Sequence, residues 1–319
     1  MNSPVFLLSL PRSGSTLLQR ILTQHDDIAS VSEPWFLLPL VYSQKDTGVL
    51  AEYSHRNAQL AVNDLISKLP DKQDDFDSVL HEMSLRIYGK LCKNNEVYFL
   101  DKTPRYHLIV KDLIRIFPNS KFIFLYRNPM DVYASTMKTW GENSFKRHYA
   151  VKNDLEVGLN NLVEGQEILG QNAIVINYEN LVTNTPEVIE NICQYLDIEN
   201  NLQSENELLQ LNGKLGDQVG IKKYKKIEAK SIDNWKSCFN TSFRKHIIRK
   251  YISNLDSTVL SRMGYDKATL LNSIQNHKTS FGLSIKDRYH IFFYKTATLL
   301  NGHLFFTNIY KWARKKYLS

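Results

Sequence analysis

The residues with the most chemical content fall in two short clusters. Arg12, Ser13, Gly14, Ser15 and Thr16 follow the apolar run 5–10 and precede Leu17, Leu18, Ile21 and Leu22 at helical spacing. A strand, a tight turn of small polar residues and a helix aim backbone N–H groups at an anion, and the helix dipole adds to the attraction. Arg12 brings a cation to that turn. Arg127 and Ser135 form the second cluster. Arg127 ends the apolar run 121–126, Pro129 opens a helix, and Ser135 lies about two turns into it. The two could converge on one anion. Glu33 closes a third run, 28–32, and would project a carboxylate towards the same edge. Trp35 and Phe36 beside it would desolvate that carboxylate, which suits a general base.

The first cluster is not a triphosphate loop. Gly-x4-Gly-Lys-Ser/Thr demands a second Gly and a Lys directly before the hydroxyl residue. Here Gly14 stands alone and Arg12 lies on its far side, so the turn suits one phosphate plus a nearby anionic group. The alternative for this turn taken alone is a capped helix after a strand, with Ser15 or Thr16 as a plain cap.

The elements that must hold these groups read as an α/β domain. Runs 5–10, 121–126 and 173–178 are apolar without polar alternation, as strands buried on both faces are. Runs 28–32 and 98–100 are shorter strands. Amphipathic helices are expected over 51–69 and 76–91, with 70–75 as the loop between them, and further helices over 130–140, 154–169 and 186–196. The fold class is therefore a P-loop-type, mainly parallel sheet flanked by helices, with a helical insertion and a C-terminal helical extension. Ligands of such sheets bind at the carboxyl edge.

On these motifs, in this order and context, the chain resembles the sulfotransferases that use 3′-phosphoadenosine 5′-phosphosulfate (PAPS). It is most similar to the Golgi-type tyrosylprotein and carbohydrate sulfotransferases and their bacterial relatives, over roughly 5–265. The resemblance implies that Arg12 to Thr16 hold the 5′-phosphosulfate and that Arg127 and Ser135 hold the 3′-phosphate. It makes Glu33, a Glu shortly after the first helix, the candidate base. Lys102, in Lys102-Thr103-Pro104, resembles the Lys of the family's Lys-Ser-Pro and Lys-Asp-Pro steps, which contacts the transferring sulfuryl and its bridging oxygen. His107 is the rival base: the cytosolic sulfotransferases use a His close after a Lys-Thr pair, but Pro104 takes that place here. Tyr178, in a segment like the family's Arg-Tyr-Glu-Asp-Leu, is either an adenine-side contact or a core Tyr. Lys222 and Lys223, in the basic stretch 213–234, are candidates for a lid over the nucleotide, although the Ser and Lys that bracket this stretch in the tyrosylprotein branch are not clearly present. PAPS is the co-substrate, PAP (3′-phosphoadenosine 5′-phosphate) its product, and no metal is implied.

The bulk numbers bound the partners. Forty Lys and Arg against 33 Asp and Glu give a net charge of +7, a modest excess that fits an anionic ligand. The densest basic runs, 222–226 and 314–316, are too short to bind nucleic acid on their own. Three widely spaced Cys argue against a disulfide framework or a zinc site. Golgi-type relatives carry an N-terminal membrane anchor, whereas this chain opens on its first strand, so the expectation is a soluble, cytoplasmic, bacterial protein. The expected division is a sulfotransferase domain over 1–275 and a basic, aromatic extension over 276–319. That extension suits packing on the parent domain or a second subunit, or a membrane surface at the inner face. The acceptor is expected to be a hydroxyl, with a sugar or glycoconjugate favoured over tyrosine, lipid or a small metabolite. The competing functions are an ATP-dependent P-loop kinase and a non-catalytic binder of nucleotide and anionic polymer.

Overall fold

Strand β1 (Ser3–Ser9) is buried along nearly its whole length because strands pair with both its edges and helices cover both its faces. The computed structural model describes residues 3–49, 51, 53–146, 153–202, 227–280 and 285–299. Five parallel strands run in the order β2-β3-β1-β4-β5, with β2 at Ile28–Ser30, β3 at Tyr98–Asp101, β4 at Lys121–Tyr126 and β5 at Ala173–Asn177. Period-two alternation sorts the side chains. Phe6, Leu8, Phe122 and Phe124 join one core, while Val5, Leu7, Ile123 and Leu125 join the other. Helices α1 (Ser15–Leu22), α8 (Tyr178–Thr183) and α9 (Thr185–Leu196) close the second face. Helices α5 (Val110–Ile116), α6 (Pro129–Trp140) and α7 (Gly158–Leu169) close the first.

From β1 the chain leaves towards β2 on one side, and from β4 towards β5 on the other. The carboxyl ends of β1 and β4 therefore flank a topological switch point, where a crevice opens. Both motif clusters start there.

The insertion comprises α2 (Leu37–Tyr42), α3 (His55–Ser67) and α4 (Gln73–Leu91). Helix α3 starts later than position 51, behind the N-cap Ser54. Helix α4 starts earlier than 76, inside the stretch expected to be loop, because Asp74 and Asp75 in its first turn suit the helix dipole. Strand β2 stops at Ser30 rather than position 32, because Gln19 Nε2 takes the carbonyls of Val31 (2.7 Å) and Ser32 (3.2 Å). The helix expected over 154–169 opens instead as a π turn, Asn153–Val157, before α7. Strand β5 ends at Asn177, so Tyr178 begins α8 instead of closing the strand.

After residue 226, helices α10 (Trp235–Cys238), α11 (Ser242–Asn254), α12 (Ser257–Arg262) and α13 (Lys267–Asn276) pack on the first core, and α14 (Ile285–Leu299) follows. Lys222, Lys223 and the tail from 300 lie outside the described residues. Cys92, Cys193 and Cys238 are all free thiols. No helix among the described residues is long and apolar enough to cross a membrane.

Candidate active site

The turn after β1 is shaped by two left-handed residues, Arg12 (φ 70°) and Gly14 (φ 94°). Gly14 takes the N-cap place of α1 without any side-chain hydrogen bond, so neither Ser15 nor Thr16 is the cap. The orphan N–H groups of the first turn are left to an external acceptor. A Cβ at Gly14 would overlap the ring of Tyr178, which lies flat against the turn. Only glycine meets both demands, a positive φ and the close approach of an aromatic ring.

Arg127 connects three segments at this crevice. Its Nη1 donates to the Arg12 carbonyl (3.1 Å) and its Nη2 to the Ser231 carbonyl (2.7 Å). Its guanidinium lies 4.4 Å from the centre of the Tyr178 ring. The side chain is buried, and Nε has no hydrogen-bond partner. An unsatisfied buried N–H is costly, and an anion entering here would satisfy it. Arg12 Nε donates to Ser135 Oγ (3.3 Å), which brings the second cluster against the first. The Tyr178 and Ser231 hydroxyls are hydrogen-bonded to each other. Tyr178 also packs in the second core, with 1% of its surface exposed.

The segment holding Ser231 is anchored by Asp131 on α6, whose carboxylate accepts from the N–H of Asp233 (3.0 Å) and of Trp235 (2.8 Å). Burial pushes the Asp131 carboxyl up to about 6, against the pull of Arg127 and these two donors. Glu179 anchors the strand end: it accepts from Asn128 N (3.0 Å) and the Tyr265 hydroxyl (2.6 Å).

On the other side of the turn, Lys102 donates to Glu33 Oε1 at 2.6 Å and to Thr16 Oγ1 at 3.4 Å. The Lys102 side chain is 1% exposed and that of Glu33 is 9% exposed. Trp35 Nε1 donates to the second oxygen of Glu33 (2.9 Å). Trp35 itself has φ 62°, and its N–H is held by Thr103 Oγ1 (3.3 Å). Thr103 in turn donates to Asp101 Oδ1 (3.1 Å), and Asp101 Oδ2 accepts from Tyr88 (2.6 Å) and Tyr106 (3.1 Å). Complete burial raises the Asp101 carboxyl to about 6, with the three hydroxyl donors and Lys102 opposing.

His107 is placed differently. Its Nε2 bonds to Asp154 Oδ1 (2.8 Å), and Asp154 also pairs with Arg105 (3.1 Å). A Cβ at Gly158 would stand 3.0 Å from His107 Nδ1, so α7 presses on the ring. The imidazole is buried in packing between the 3-10 turn Pro104–Leu108 and α7.

The structure thus gathers Arg12, Gly14, Arg127, Ser135 and Tyr178 at one end of the turn, and Thr16, Lys102 and Glu33 at the other. Sequence reading missed Asp131, Ser231, Asp101 and Thr103, which hold these groups. Asp131 stood four residues after Arg127, in the first turn of its helix, and Asp101 stood directly before Lys102. Both positions were visible signals of a carboxylate at the sheet edge.

A family model, the sulfotransferase family, matches residues 4–201. The chain belongs to the sulfotransferase family. PAPS is this family's donor. The nodulation protein NoeE of Sinorhizobium fredii is 33% identical over 143 residues, 43% of this chain, so the match spans only 31% of that relative. A Caenorhabditis briggsae chain, provisionally named a protein-tyrosine sulfotransferase, is 26% identical over 278 residues, covering 83% of this sulfotransferase and 90% of that protein. Among solved structures, the sulfotransferase domain of the Synechococcus PCC 7002 olefin synthase superposes with a TM-score of 0.52 at 25% identity, over 74% of this chain and 89% of that domain.

Proposed function

We propose that this sulfotransferase moves a sulfuryl group from PAPS to a hydroxyl of a carbohydrate or glycoconjugate. The observation that carries the chemistry is the buried Lys102–Glu33 pair at 2.6 Å, in contact with Thr16 of the anion-binding turn. Around the nucleotide, the orphan N–H groups of α1 and Arg12 receive the 5′-phosphosulfate, while Arg127 and Ser135 receive the 3′-phosphate. The unpartnered Nε of Arg127 is the feature that fits a further anion there.

In the proposed step the acceptor oxygen attacks sulfur in line. The bond between sulfur and the 5′-phosphate oxygen breaks, and the electron pair stays on PAP. Lys102 neutralises charge growing on that oxygen, and Glu33 takes the acceptor proton. Before the reaction the two side chains satisfy each other. Donor binding draws Lys102 Nζ to the bridging oxygen and frees Glu33 Oε1 for the acceptor. Trp35 holds the other oxygen, so the freed one keeps its direction. A fixed donor aimed at developing charge in a dry site lowers the barrier by roughly 3–4 kcal/mol.

Protein tyrosine is the second reading of the acceptor, favoured by the near-full-length match to the C. briggsae chain. The two differ in acidity: a phenol ionises near 10, whereas an alkyl hydroxyl is far weaker and needs the base more. The first test is a melting titration with PAP, AMP and ATP plus Mg²⁺. A ligand at about 100 times its dissociation constant stabilises by roughly 2.7 kcal/mol, which appears as a shift of a few degrees. PAP is expected to give the largest shift; a shift with ATP alone would move the chain to the kinase reading. Sulfate transfer from labelled PAPS to oligosaccharides against tyrosine peptides then decides the acceptor.

A further inference from the structure

Helix α14 is built the wrong way round for a helix that only packs on its own domain. Ile285 (78% exposed), Tyr289 (62%), Phe292 (70%) and Phe293 (46%) recur at four, three and one residues, so they share one solvent-facing stripe. The opposite side docks. Asp287 is fully buried and accepts from Arg244 Nε of α11 at 2.7 Å, and Ile291 packs against the first core. The exposed Lys286 and Arg288 border the apolar stripe, one on each side at helical spacing.

We propose that this face of α14 is an interfacial surface that lies on an anionic phospholipid bilayer. Charge argues for that occupant. No Asp or Glu follows Asp287, and Asp287 is already paired with Arg244. From there to the end of the sequence stand Arg288, Lys295, Lys311, Arg314, Lys315 and Lys316, interleaved with Tyr, Phe and Trp. Helix α11, to which α14 is pinned, adds the exposed Arg249 and Lys250 and has no acidic residue. A second copy of the chain would bring the same positive charge to an isologous contact, which disfavours it. An acidic polymer would engage the lysines and arginines but give no use to Ile285 and Phe292. A bilayer with anionic lipid uses both: the basic residues near its charged surface and the aromatic stripe at the headgroup boundary.

The test is flotation of the full chain with phosphatidylcholine vesicles containing about 30% phosphatidylglycerol, and with phosphatidylcholine alone. The expected result is partitioning to the anionic vesicles, loss in high salt, and at least roughly tenfold weaker partitioning for the Tyr289→Ser/Phe292→Ser variant. An unchanged PAP-dependent melting shift in that variant shows that its core is folded. Three results would overturn the proposal: no flotation above a soluble control, flotation indifferent to the variant, or heparin binding with no vesicle binding. So would a dimer in sedimentation equilibrium that the variant splits, if vesicles are not bound.

Discussion

Glu33 and His107 both follow strands of the sheet, but their neighbours differ. Glu33 is held by an ammonium and an indole at the edge of the turn. His107 is locked to Asp154 beneath α7. Glu33→Gln should lower kcat by roughly 10²–10⁴-fold with PAP affinity nearly unchanged, and the loss should be larger for a sugar than for a phenol. His107→Ala should instead lower the melting temperature, with little change in kcat per folded molecule; a collapse of kcat in the folded variant would reverse the two roles. Arg127→Ala should weaken PAP far more than AMP in calorimetric titrations, because only PAP carries the 3′-phosphate. Gly14→Ala meets the Tyr178 ring as well as a positive φ. Its loss of PAP binding should be partly recovered in the Gly14→Ala/Tyr178→Ala double variant, the non-additivity expected of touching residues. Strict additivity would show that the ring does not limit the turn.

At the level of elements, the sheet was largely legible and the site only in part. The unbroken apolar runs of β1 and β4 announced strands buried on both faces, and the turn and the Arg127-to-Ser135 spacing are local patterns. Glu33 and Lys102 are 69 positions apart, and no periodicity reports that they pair. Resemblance suggested each of them, but not their contact. The Asp101 hub depends on Tyr88 of the insertion and Tyr106 of the 3-10 turn, whose convergence exists only after packing. The acidic stretch before residue 76 misled because composition says loop while position says helix N-terminus. A pH effect belongs at this scale. The Asp101 carboxyl sits at about 6 against an ordinary 3.8. A carboxyl raised in the folded state binds its proton more tightly there, so its stabilising effect is greatest below the unfolded value and is lost as pH rises through about 6. Asp101→Asn mimics the protonated form. Urea midpoints between about pH 4 and pH 7 should therefore fall less steeply in that variant than in the unsubstituted chain. Parallel curves would mean that Asp101 is not the group titrating.

For the whole molecule, the order β2-β3-β1-β4-β5 sets which parts of the chain can meet. The turn after β1 sits at the centre of the sheet, Lys102 arrives from β3 on one side and Arg127 from β4 on the other. The donor would thus lie across the middle of the sheet with its sulfuryl towards β3 and its 3′-phosphate towards β4. Arg127 holds the Arg12 and Ser231 carbonyls, so a bisphosphate bound as proposed would brace segments more than a hundred residues apart. Its stabilisation should accordingly be global: native-state hydrogen exchange is expected to slow in β1, β4 and the stretch 229–235 together, and slowing confined to the turn would contradict this.

The Tyr88 hydroxyl joins the insertion to the residue beside Lys102, and that bond constrains any redesign. Segment 37–91 carries Tyr88, so exchanging the insertion exchanges that hydroxyl as well. A graft that omits Tyr88 would leave the Asp101 carboxylate one donor short in a closed interior, directly before Lys102. A transplanted insertion therefore has to bring its own hydroxyl to that place, because replacing Asp101 by an apolar residue would in turn orphan the buried hydroxyls of Thr103 and Tyr106.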